Sequence, residues 1–136
     1  MPRKIAAVVG GLIAWSLLFW AVGIGFGLLW PAYRLAAREF FASGDFSLFT
    51  VPMMLTNCAL FALCGLAAGW LVVRLARSSR AGLAFVAILF AYGALNHFWQ
   101  LWGVLPDWYN LVVPFVMAGS GWLGARLGYR HPSSHA

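Results

Sequence analysis

The chain has 136 residues, of which 63% are hydrophobic and only 9% are charged. A soluble domain carries roughly 25% charged residues. This chain has too few polar groups to cover a water-facing surface, so its composition excludes a disordered chain and argues against a soluble globular one. The formal net charge is +6, from nine Lys and Arg against three Asp and Glu. The basic residues sit at the ends of apolar runs, and no dense basic run of the nucleic-acid type occurs. The expected partner is the lipid bilayer and not nucleic acid.

Four apolar segments follow one another, over residues 5–30, 50–75, 81–103 and 108–127. Each is near or above the roughly 20 residues that cross about 30 Å of hydrocarbon at 1.5 Å per residue. The expected fold is all-α: a four-transmembrane-helix bundle forming a single membrane domain over residues 1–136. Arg3 and Lys4 before the first run imitate a signal peptide. The run is far longer than a signal core of about 7–15 residues, so it is expected to remain as a span.

After the first span, residues 31–47 read PAYRLAAREFFASGDFS. Pro31 suits the first turn of a helix and Gly44 suits its end. Tyr33, Ala37, Phe40 and Phe41 recur at helical spacing, with Arg34 and Arg38 on another face. This predicts a short amphipathic helix at the membrane interface. In the second segment, Cys58 and Cys64 lie six residues apart. That is neither a redox pair nor a metal-ligand spacing, and on one helix it is too far for a disulfide. The links at 76–80 and 104–107 are short, so consecutive spans should run antiparallel. The polar tail over 128–136 is expected on the cytoplasmic side.

Lipid gives helices no hydrophobic reason to associate, so close backbone approach matters. Small residues mark three candidate places: Gly23 and Gly27, Gly65 and Gly69, and Gly124 and Gly128 with Gly121 a turn earlier. Packing within one chain is the simpler expectation, and a homodimer or a contact with another membrane protein is the alternative. Pro114 removes a backbone hydrogen bond inside the last span, and a kink is expected there.

The third segment carries the one unusual constellation: Tyr92, Asn96, His97 and Gln100 in AYGALNHFWQLWG. At about 100° per residue, Tyr92, Asn96 and Gln100 share a stripe with His97 beside it. Ala91, Leu95, Phe98 and Trp102 lie opposite and suit lipid. Counting from the outer ends of their segments places His97 and Asn57 roughly 10 Å below the outer interface. Asn57, Tyr92, Asn96, His97 and Gln100 could therefore line an outward-facing ligand pocket, with Asp107 and Asn110 near its mouth. The simpler reading is interhelical glue, because Asn, Gln and His hydrogen-bond across membrane helices at about 0.6–2 kcal/mol each.

No catalytic or metal-ligating set is visible. The four segments hold no acid in their depths, no H-E-x-x-H and no second His beside His97. A proton-coupled transporter keeps an ionisable group mid-membrane, and His97 alone could serve. A haem would need Met53, Met54 or Met117 as second axial ligand. No cofactor is therefore expected, haem or quinone being the remote alternatives. The sequence points first to a non-enzymatic accessory subunit or scaffold, and second to a small-molecule binding or transport protein using the pocket around Asn96 and His97. A bacterial inner membrane is the expected location, because the chain is compact and carries no organelle signal.

Orientation follows from charge. With both termini cytoplasmic, seven of the nine basic residues (Arg3, Lys4, Arg74, Arg77, Arg80, Arg126 and Arg130) fall inside, and all three acidic residues fall outside. A membrane-impermeant thiol reagent on intact cells is expected to label Ser47→Cys and to spare Ser79→Cys. The opposite pattern would invert the topology.

Overall fold

The computed structural model of the protein describes residues 1–129. The expected tail lies outside the described residues from position 130 onward. The architecture is all-helical: α1 (Pro2–Leu29), α2 (Pro31–Ser43), α3 (Val51–Ala76), α4 (Ser79–Leu95) and α5 (Asp107–Tyr129). A wide turn over Asn96–Gln100 continues α4, marked by the Leu101 N–H donating to the Asn96 carbonyl five residues back. Counting this extension, four helices are long and apolar enough to cross a membrane. The protein is a multi-pass helical membrane protein. Its outer surface fits that medium, since Leu17, Leu63 and Phe115 are each more than 60% exposed.

Local sequence sets the helix limits. Pro2, Pro31 and Pro52 stand in the first turns of α1, α2 and α3, where a missing N–H costs no helical bond. Gly44 ends α2 at φ +74°, where the left-handed backbone favours glycine. Asp45 then folds the following loop. Its carboxylate accepts from the Ser47 N–H and hydroxyl, which holds the carboxyl below its ordinary range. α2 buries Tyr33 and Ala36 against Met53, while Arg34 and Arg38 stay exposed. The third span ends earlier than the sequence suggests. The segment expected to run to 103 leaves the helix after Gln100, and Gly103 sits in the following turn at φ +82°. α5 runs without a break across Pro114.

Packing begins with glycine. A Cβ at Gly65 would meet Ser120, one at Gly69 would meet the Gly121 carbonyl, and one at Gly124 would meet the Leu66 carbonyl. At Gly128 it would lie 2.8 Å from the Trp70 carbonyl. These contacts bring α3 and α5 together backbone to backbone, and their residue order makes the pair parallel. α4 lies antiparallel to α5: Gly82 faces Ala125, and Gly93 faces Pro114 and Met117. α1 packs between α3 and α4, with Gly11 against Val72 and Phe85. Phe85, Leu89, Val72 and Met117 fill the centre.

Two of the sequence-marked packing glycines do something else. A Cβ at Gly23 would meet nothing within 4 Å, and Gly27 faces the stem of Arg34 on α2. Neither joins one span to another. Conversely, Gly11, Gly82 and Gly93 make close approaches without a Gly-xxx-Gly signature.

At the end opposite α2, Arg3 Nε donates to the Leu75 carbonyl at 2.9 Å, which ties the start of α1 to the end of α3. Arg74 lies over Trp70 and Arg126 over Trp122, at 5.3 and 5.2 Å from the ring centres. Each cation sits one turn from its ring, an arrangement suited to a membrane boundary.

Gly124→Ala places a methyl against the Leu66 backbone, which cannot rotate away. It is expected to cost about 1–3 kcal/mol and to lower the melting temperature in detergent. Gly10→Ala meets nothing within 4 Å and should leave melting unchanged. Equal melting of the two variants would refute this packing.

Candidate functional site

The half of the bundle nearest α2 holds a partly open cavity of about 560 Å³. It exists because α1 contributes Gly23 and Gly27 where bulkier residues would close the space. α2 and the loop after it supply Tyr33, Arg34, Phe40, Phe46 and Phe49. Trp15, Phe19 and Phe61 form a stacked aromatic wall, with Phe19 and Phe61 centres 4.7 Å apart and planes at 4°. Tyr92 meets Trp15 edge-on at 5.9 Å. Most of the lining is aromatic or aliphatic, with few polar groups. That composition and size are typical of sites for small organic molecules, which occupy about 300–1,000 Å³.

All five residues that the sequence placed in a pocket line this cavity: Asn57, Tyr92, Asn96, His97 and Gln100. They come from two helices that make few contacts at this level, so the cavity is what unites them. Asn57 accepts a hydrogen bond from the Tyr33 hydroxyl, coupling α3 to α2. Burial pushes the Tyr33 phenol up from its ordinary range, and the Asn57 bond opposes this in part. Asn96 donates back to the Tyr92 carbonyl at 2.8 Å. The wide turn shifts Asn96, His97 and Gln100 away from strict helical spacing, yet they still reach the cavity. Such turns inside helices are frequent at functional sites.

The two residues expected at the mouth lie elsewhere. Asp107 is exposed at the start of α5 and does not line the cavity. Asn110 is fully buried behind His97. Its Oδ1 lies 3.0 Å from His97 Nδ1, and its Nδ2 donates to the Leu101 and Leu105 carbonyls, both at 3.2 Å. One side chain thus ties the turn after α4 to α5 and fixes the imidazole. Sequence spacing could not reveal this, because the turn folds Asn110 back under the helix end. Tyr109 also lines the cavity and meets the His97 ring edge-on at 5.6 Å. A Tyr next to Asn at the start of an apolar helix gave no signal of that role.

Of the methionines considered as axial ligands, Met117 lines the cavity, whereas Met53 packs with Tyr33 and Ala36. Cys58 and Cys64 are unpaired, with Cys64 buried in the core. The Trp15 Nε1–H is buried with no acceptor among the described residues. No known protein family, curated protein or solved structure matches the chain.

Asn110→Leu removes the acceptor for His97 Nδ1 and the donor for the Leu101 and Leu105 carbonyls. Leaving such groups buried and unmatched costs about 1–3 kcal/mol each. The variant should melt well below Asn96→Leu, whose amide is only half-buried. Similar melting of the two would remove Asn110 as the anchor of the turn.

Proposed function

We propose that this membrane protein binds a small amphiphilic molecule in the cavity between α1, α2 and the outer ends of α3 and α4, and that it acts by binding and not by covalent catalysis. The observation that carries this reading is one of coincidence. Asn57, Asn96, His97 and Gln100, from two different spans, meet at one cavity, whose volume suits a small organic molecule. Its aromatic walls favour an apolar body, and His97, Asn57, Asn96 and Gln100 offer polar partners to a head group. Gly23 and Gly27 of α1 line the space, and neither joins one span to another. A role as accessory subunit or scaffold would not by itself call for that empty volume.

Seven of nine basic residues toward one side support an orientation with both termini cytoplasmic. In that orientation the cavity lies in the leaflet away from the cytoplasm. A bacterial inner membrane is the proposed location.

The test fills the cavity without touching the bundle. Gly23→Leu adds a side chain where nothing lies within 4 Å of the added Cβ. Wild-type protein purified in mild detergent is expected to carry a co-purifying amphiphile at about one per chain by native mass spectrometry, and Gly23→Leu to lose it while melting at the same temperature. A wild-type chain free of any small molecule would count against the proposal, as would a Gly23→Leu chain that retains it.

A further inference from the structure

His97 presents one defined chemical face to the cavity. Asn110 decides which. Its amide nitrogen donates to two backbone carbonyls, those of Leu101 and Leu105. Reversing the amide would point its oxygen at two carbonyl oxygens, so the orientation is fixed by chemistry. The amide oxygen therefore faces His97 Nδ1 at 3.0 Å. An oxygen acceptor requires a hydrogen on that nitrogen, so Nδ1 carries the ring proton. In the neutral imidazole the other nitrogen, Nε2, is then a bare acceptor. His97 is only 6% exposed and lines the cavity, and Nε2 has no hydrogen-bond partner among the described residues. The three acidic residues, Glu39, Asp45 and Asp107, are all exposed, and none lines the cavity, whose charged lining residue is Arg34.

Resting on the cavity reading, we infer that His97 Nε2 selects a ligand bearing a hydrogen-bond donor, the chemical class being an amphiphile with a phenolic or other hydroxyl head. The aromatic part of the site agrees. Phenolic rings suit the stacked wall of Trp15, Phe19 and Phe61 and the edge of Tyr109 against His97. A ligand with acceptors only would leave Nε2 buried beside another lone pair. Asn110 is a positioning residue: it touches no ligand and acts by setting the tautomer.

Two measurements test this on the full chain in lipid nanodiscs. The first uses 4-octylphenol and its methyl ether, 4-octylanisole, which differ in the hydroxyl hydrogen. Binding is read from tryptophan fluorescence. The phenol is expected to bind about tenfold or more tighter than the ether, and His97→Phe to abolish that preference. Equal binding of the two probes to the wild type would overturn the inference and leave the cavity reading standing; binding of neither would overturn both. The second measurement needs no variant. Nitrogen-15 spectra of labelled histidine at neutral pH should show a protonated Nδ1 and an unprotonated Nε2 for His97. The reverse tautomer, or a doubly protonated ring, would overturn the inference.

Discussion

The α3–α5 contact is the constraint on which the rest of the bundle depends. In lipid, apolar side chains gain little by leaving their surroundings for one another, so helices associate through close packing. Gly65, Gly69, Gly124 and Gly128 let two backbones touch, and a single added methyl at Gly124 would strike a carbonyl. This contact fixes α5 beside α3 in parallel and sets where α4 can lie. α4 follows with its own small residues, Gly82 and Gly93, against Ala125 and Pro114. α1 completes the bundle from the other side through Gly11. Its C-terminal half then has no equally close partner among the other spans, and the cavity occupies the space left there.

Polar chemistry in such a fold has to be matched internally, because the hydrocarbon offers no water. Asn110 illustrates the consequence. It matches two carbonyls of the turn after α4 and one nitrogen of His97 with a single buried amide. The glue reading and the pocket reading of His97 are therefore not opposed. Nδ1 binds α4 to α5, while the ring itself forms part of the cavity wall. The same division holds for Asn57, which accepts from Tyr33 and also borders the cavity. A side chain anchored through one atom is held still, so under the proposed binding role its remaining atoms would meet a ligand without further ordering.

The sequence by itself determined the class of the molecule. Its hydropathy and segment lengths left no alternative to membrane-spanning helices, because a chain with so few charges cannot cover itself in water. It also determined the short helix after the first span, since Pro31 and Gly44 bracket an amphipathic repeat. The sequence also grouped Asn57, Tyr92, Asn96, His97 and Gln100 by helical spacing and depth, and all five border the cavity, although of these only His97 is buried. Only the tertiary structure decided which glycines pack and which leave room. Gly23 and Gly27 carry the same signature as Gly65 and Gly69, yet what lies opposite them differs. Likewise, only the folded turn could bring Asn110 beneath His97, across thirteen residues of sequence. Periodicity describes which side of a helix a residue occupies. It says nothing of the distance to the next helix, and that distance separates a contact from a cavity.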